Sequence, residues 1–191
     1  MNKESIKSIL EKELSEISIH NKKIAGITLR MLEELTDDDF WTKPASATGV
    51  HHPKTSNCIG GNIIHTKQAF WIGTTILNTI SEDFISSEQR ACVLSAILLH
   101  DIDKFNESLE NHGITASEKI LKYRNATIFP YWIVDISLMV KYHMGQWGAE
   151  HLDDVACSML ASTVECIKIV HLSDYLSSRP FLEFNENEVT K

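Results

Sequence analysis

Nowhere does the sequence alternate apolar and polar residues in the manner of a half-buried strand, which excludes a β-rich fold. It also lacks any run of the ~18–20 apolar residues that a membrane span requires. Cysteine is sparse: Cys58, Cys92, Cys157 and Cys166 form no C-x-x-C pair, so a zinc ribbon is excluded. Three of the four, Cys92, Cys157 and Cys166, fall in apolar helical stretches, where a reduced thiol serves as a small hydrophobe. Positive charge is in deficit, with 18 Lys and Arg against 26 Asp and Glu and a net charge of −8. A protein that wraps duplex nucleic acid through a basic face is thereby excluded, whereas a small anionic substrate held in a local pocket is not. Residues 1–14 mix Lys and Glu where a signal peptide carries an apolar run, so the expected location is cytoplasmic. There is no Gly-x-Ser-x-Gly elbow, no Cys-His pairing and no Gly-x-x-x-x-Gly-Lys loop, and no repeat or low-complexity tract.

What the chain has instead is apolar residues recurring at three and four positions, the mark of an all-α architecture. Its 191 residues suffice for one domain with a core that needs no metal to hold it, so a bound metal would be there for chemistry. Ile6, Ile9, Leu10 and Leu14 mark a first helix. Ile24, Ile27, Leu29, Met31, Leu32 and Leu35 mark a second, ending in the acidic turn Asp37-Asp38-Asp39. Residues 1–41 therefore read as an N-terminal helical pair packed on a core domain of residues 42–180, with a polar tail over 181–191. Pro44, Gly49, Pro53, Gly60 and Gly61 punctuate an ordered loop. Further helices are expected over 63–80, from Ser86 or Ser87 to His100, over 115–123, over 132–143 and over 155–176. The one ending at His100 is apolar nearly all round and belongs at the centre of the bundle.

Chemistry is concentrated in the histidines. His51, His52, His65, His100, His112 and His143 sit at or beside predicted helix ends or in loops, where side chains from different helices can converge. Asp101, directly after the apolar stretch Ala96-Ile97-Leu98-Leu99, would be buried at a cost of several kcal/mol unless a cation pairs with it. Two cations compete for that role. One is Lys104, at i+3 on the same face. The other is a metal ion, for which His65, His112, His143 and Asp174, each on a different element, supply the imidazole and carboxylate donors that suit Mn, Fe, Zn or Ni. Adjacent residues on a helix diverge by about 100°, so His100 and Asp101 would flank an ion rather than share one face.

The segments Gly60-Gly61-Asn62-Ile63-Ile64-His65-Thr66, Leu98-Leu99-His100-Asp101-Ile102-Asp103-Lys104 and His171-Leu172-Ser173-Asp174-Tyr175 together resemble the HD-domain superfamily of metal-dependent phosphohydrolases, over roughly residues 45–180. The stretch from Ala45 through His51-His52-Pro53 to Gly60-Gly61 is most similar to the branch of HD-type 3′–5′ exoribonucleases, without their extra nucleic-acid-binding domain. The resemblance implies an all-α HD-domain bundle with one or two divalent ions (Mn, Fe, Ni, Zn or Mg). His65, His100, Asp101 and Asp174 would bind the first ion. His112 and His143 would hold a second, with Asp101 bridging. It also implies that Lys104 contacts the substrate phosphate, and His51, His52 and Arg179 are its candidate companions. Asp103 stands where the superfamily usually has a small residue, placing an extra carboxylate near the site.

The expected reaction is hydrolysis of a nucleotide, cyclic nucleotide or short oligonucleotide phosphoester by metal-bound hydroxide, with Asp101 and Lys104 as catalytic groups. The expected partner is thus a small, nucleotide-like phosphorylated substrate, with neither duplex nucleic acid nor a membrane involved. A di-iron oxygenase on the same fold and an inactive nucleotide-binding module are the rival readings. His171 is expected as a packed core residue or as support for a ligand, and His20 and His151 as surface residues. Lys141 is a candidate phosphate contact or a solvated helix-end charge. Trp71, Trp132 and Trp147 are expected in the core, with Trp147, beside His143, the one that could instead stack on a base.

Overall fold

A computed structural model describes residues 3–46, 52–106, 108, 110–122 and 131–180; His51 and the expected polar tail lie outside them. The described residues contain no strand. Their α-helices are α1 (Lys3–Ile9), α2 (Glu11–His20), α3 (Lys22–Leu35), α4 (Asp38–Thr42), α5 (Gly61–Asn78), α6 (Ser87–Leu99), α7 (His112–Lys122), α8 (Trp132–Lys141) and α9 (Ala161–Ser177). The fold is the all-α bundle that the apolar periodicity predicts.

Helix α6 is the axle. Every residue from Arg90 to Leu99 is buried, and α2, α3, α5, α8 and α9 all pack against it. A helix surrounded in this way needs apolar side chains on all faces, which is why its sequence shows no polar stripe. The polar atoms it does bury are matched across the contacts: Ser95 Oγ lies 2.7 Å from Thr28 Oγ1 of α3. Ser86 opens α6 with a reciprocal capping box, its hydroxyl accepting from the Gln89 amide while the Gln89 side chain accepts from the Ser86 amide. Arg90 is buried at 3% exposure. Its guanidinium donates to the carbonyls of Leu77 at 2.6 Å and Ile85 at 3.1 Å, and also to that of Ile80, closing the C-terminal end of α5. Gly73 lets α5 approach both α6 and α9; a Cβ there would overlap Ile97 Cδ1 and come within 3.1 Å of Ser173 Oγ.

Several boundaries differ from the sequence expectation. The first stripe is two helices broken at Leu10, yet Ile6, Leu10, Leu14 and Ile17 stay buried in register across the break, so periodicity alone does not reveal it. The acidic turn does not merely end α3. Asp37 caps α4 by accepting from the Phe40 amide, and Asp38 and Asp39 form its first turn, where carboxylates favour the helix dipole. Helix α7 starts at His112 rather than Thr115, and α8 stops at Lys141 rather than His143. The helix expected over 155–176 begins only at Ala161; 3₁₀ turns at Leu152–Asp154 and Ala156–Ser158 precede it. Cys157 is therefore exposed in one of these turns, contrary to expectation, whereas Cys92 and Cys166 are buried. Burial pushes both buried thiols up, Cys166 to about 12, and Asp135 nearby adds to the shift. Among the described residues no helix is long and apolar enough to cross a membrane.

Candidate metal centre

Five elements deliver the centre. His65 lies one turn into α5, whose N-cap, Gly60, is in the left-handed region with φ of 76°. A Cβ on the next residue, Gly61, would overlap the Ser56 carbonyl, so the glycine pair lets the preceding loop fold flat against the start of α5. His100 is the C-cap of α6, and Asp101 opens the turn behind it. His112 is the first residue of α7, His143 lies two residues beyond α8, and Asp174 lies in the last turn of α9. The five residues other than Asp174 are 2% exposed or less.

Asp101 divides the centre in two. Its Oδ2 lies 3.3 Å from His100 Nε2 and 3.7 Å from His65 Nε2, and His65 Nε2 is in turn 3.1 Å from Asp174 Oδ1. Its Oδ1 faces the other way, 3.2 Å from His112 Nε2 and 3.9 Å from His143 Nε2. His112 and His143 approach each other Nε2 to Nε2 at 3.0 Å. Three overlapping triads result, each with one donor atom per residue within 4.8 Å of the others: His65–His100–Asp101, His100–His143–Asp174 and Asp101–His112–His143.

The tautomers follow from what the opposite ring atoms touch. His100 Nδ1 is 2.7 Å from the Ile97 carbonyl and His143 Nδ1 is 2.7 Å from the Val140 carbonyl, so both Nδ1 atoms carry the proton. Each takes up a helix-end carbonyl three residues back, one of the groups the helix cannot satisfy itself. Ser177 Oγ donates to the Asp174 carbonyl and so accepts from His65 Nδ1 at 3.1 Å. When neutral, His65, His100 and His143 therefore all present Nε2 lone pairs to the carboxylate oxygens. Lone pairs and carboxylates converging in a buried space need a cation, and imidazole plus carboxylate is the donor set of a borderline divalent metal. The residues present fit such an ion.

The electrostatics show how strongly the two carboxylates draw positive charge, here onto His100 itself. Burial disfavours the charged form of His100, but Asp101 and Asp174 outweigh it and push the imidazole up to about 10. Burial would likewise raise both carboxyls, yet His100 holds them well below the usual carboxylate range, helped by Lys104 at Asp101 and by His65 at Asp174. His143 is pushed down to about 3 by burial and by the neighbouring His112 and His100.

Lys104 pairs with Asp101 Oδ2 at 2.6 Å, so the i+3 ion pair exists alongside the histidine cluster. That pair occupies one carboxylate oxygen and leaves the histidines unexplained. The Asp103 carboxylate is engaged by Lys119 at 2.5 Å and Asn106 at 3.3 Å, which accounts for an acid at a position usually small. His52 stacks edge-on against His65 with ring centroids 4.9 Å apart. Its Nδ1 is buried without a hydrogen-bond partner, and burial, with His65 next, pushes the ring down to about 3. Arg179 lies with its guanidinium carbon 4.2 Å from the centroid of the Tyr175 ring, and Lys141 pairs with Glu150 at 2.7 Å. His151 is exposed, and His20 is partly buried with Nδ1 3.2 Å from Ser87 Oγ. Trp132 is in the core and Trp71 is partly buried, its Nε1 donating to Glu13. Trp147, contrary to a core placement, is 46% exposed.

Two further groups support the centre: Ser177 carries no advance signal, whereas His171 is already a candidate support by sequence. Ser177 is an ordinary helix-end serine until it is found holding His65. His171 donates from Nδ1 to the His143 carbonyl at 2.7 Å, and a Cβ on Gly145 would overlap the His171 ring, so His171 seats the turn that follows His143.

A family model described as HD domain matches residues 62–179, a span that contains every histidine and aspartate of the three triads. The match extends to that domain as a whole and does not single out its exoribonuclease branch. No curated protein and no solved structure matches the chain.

Proposed function

The chain belongs to the HD-domain family, and from that premise we propose that it hydrolyses a phosphoester of a nucleotide, a cyclic nucleotide or a short oligonucleotide. The observation that carries this reading is the division of Asp101, with one oxygen toward His65, His100 and Asp174 and the other toward His112 and His143. In this reading His65, His100, Asp101 and Asp174 hold one divalent ion, and Asp101 with His112 and His143 holds a second. Such ions supply Lewis acidity toward phosphoryl oxygens and a coordinated water acidic enough to attack near neutral pH.

The chain's own residues supply the rest. Lys104 places a cation at the edge of the centre, 12% exposed and so reachable by substrate, where it offsets charge gathering on the phosphoryl oxygens. His52 and Arg179 are the remaining candidates for phosphate contact, and His51 belongs with them by sequence. A buried centre with an adjacent ammonium suits an anionic substrate. The acidic chain suits a small phosphorylated compound better than a duplex.

The test is a screen of nucleotides, cyclic dinucleotides and short oligonucleotides with added Mn²⁺. Turnover abolished by a chelator and restored by the ion is the expected result. If no phosphorylated compound is cleaved while an iron-loaded sample consumes O₂ with an organic substrate, the oxygenase reading replaces this one.

A further inference from the structure

Helix α9 carries a second row of side chains beside the one that builds the centre. Asp174 and Ser177 belong to the row facing His65, whereas His171, Tyr175 and Arg179 are spaced by four and align along a neighbouring stripe. On that stripe the Trp147 ring stacks on Tyr175, with centroids 5.4 Å apart and planes 9° from parallel. The Arg179 guanidinium also covers the Tyr175 ring, at 4.2 Å. Tyr175 is thus engaged by both neighbours and the His171 ring lies tilted against the indole at 6.0 Å, while Trp147 remains 46% exposed. On the other side of His171 and Gln146 lies a cleft of about 490 Å³ that Trp147, Tyr175 and Arg179 do not line.

We propose that Trp147, backed by Tyr175 and Arg179, is the shelf on which the substrate's nucleobase stacks. The inference rests on the phosphohydrolase reading for the position of the phosphate. His171, which lies against the indole with ring centroids 6.0 Å apart, donates to the His143 carbonyl at 2.7 Å, and Tyr175 directly follows Asp174 in α9, so the shelf is tied to two elements of the centre. A flat, partly exposed indole offers a base the sequence-tolerant stacking that single-stranded nucleotides use, and the arginine adds positive potential behind it. A core-packing role would not leave the indole half in water, and a solely structural stack would be indifferent to whether the ligand has a base.

The experiment compares adenosine 5′-monophosphate with ribose 5-phosphate by calorimetric titration of the Mn²⁺-loaded protein. The shelf requires the nucleotide to bind about tenfold more tightly in the wild type. It requires Trp147→Leu to bind both ligands alike at unchanged metal content, and Trp147→Phe to recover most of the preference. Tryptophan emission should be quenched by the nucleotide in the wild type and not in Trp147→Leu. Equal affinities in the wild type, no nucleotide binding at millimolar concentration, or a preference that survives Trp147→Leu would each overturn the shelf. Loss of metal from Trp147→Leu together with equal weakening of both ligands would assign the stack to structure and overturn it as well. A base preference that behaves as required in a protein that cleaves no phosphoester would sink the hydrolase reading and leave the shelf standing.

Discussion

The Nε2 atoms of His65 and His100 stand 3.2 Å apart in a space where both residues are 1% exposed or less. With both Nδ1 atoms occupied as donors to Ser177 and Ile97, neither neutral ring can offer the other a proton. A positive charge between them relieves that opposition: a proton on His100, which Asp101 and Asp174 push up to about 10, or a divalent ion, which these residues would hold in its place.

Metal content should follow Asp101. The purified protein is expected to carry one or two divalent transition-metal ions per chain, and Asp101→Ala to remove nearly all of them, because its two oxygens serve both halves of the centre. Elemental analysis decides the matter, with His20→Ala, far from the centre in sequence and bonded to Ser87, as the control that keeps its metal. Stoichiometric metal in Asp101→Ala would remove the proposed centre.

Stability of the chelated protein should peak near pH 6.5. His52 and His143, pushed down to about 3 chiefly by burial, refuse protons that the unfolded chain accepts below its ordinary histidine pKa of ~6.5. Stability is therefore lost as pH falls from 6.5 toward 3. His100, pushed up to about 10, has the opposite sign: its contribution is complete below ~6.5 and is lost as pH rises through 10. Melting temperatures between pH 4.5 and 9 test both limbs. His143→Gln should flatten the acid limb, and a profile without a maximum would contradict the assignment.

Arg90 should matter to folding rather than to chemistry. Arg90→Met leaves the carbonyls of Leu77, Ile80 and Ile85 without their buried donor. The expected loss is about 3–5 kcal/mol, the scale of breaking a buried charged hydrogen-bond network. Urea unfolding should show a lower midpoint at unchanged slope. A midpoint within error of the wild type would mean that water replaces the guanidinium at no cost.

How much of this was legible beforehand depends on the range over which each feature is encoded. The all-round apolarity of α6 and the Ser86 cap are local patterns and could be read directly. So could the burial of Asp101, which follows from its apolar predecessors. The break at Leu10 was hidden because the apolar spacing runs through it, and the late start of α9 because its 3₁₀ turns retain similar periodicity. At the site, spacing and the HD resemblance nominated the histidines. The pairing of Asp103 with Lys119 and of His65 with Ser177 joins residues 16 and 112 positions apart, which no local pattern encodes. Trp147 reads as core from its size and apolarity, with its place beside His143 the one hint of another role, and its 46% exposure is set by contacts with Tyr175 and His171 that no local pattern encodes.

His143 and His112 separate a one-ion from a two-ion centre. If they hold a second ion with Asp101 Oδ1, His143→Ala should retain about one ion per chain, bound by His65, His100, Asp101 and Asp174, while kcat falls by at least about a hundredfold, the scale of losing electrostatic stabilisation of the transition state. If they only contact substrate, the metal count should equal that of the wild type and the loss should fall on KM, the mark of binding shared equally by ground and transition states. His112→Ala tests the same half from the other side. Its Nε2 is 3.2 Å from Asp101 Oδ1, closer than the 3.9 Å of His143, so it should lose the second ion at least as completely. Residual metal counted in both variants by the same elemental analysis settles it: one ion in each supports the bridged pair, and an undiminished count in His112→Ala alone would mean that another residue completes the second half.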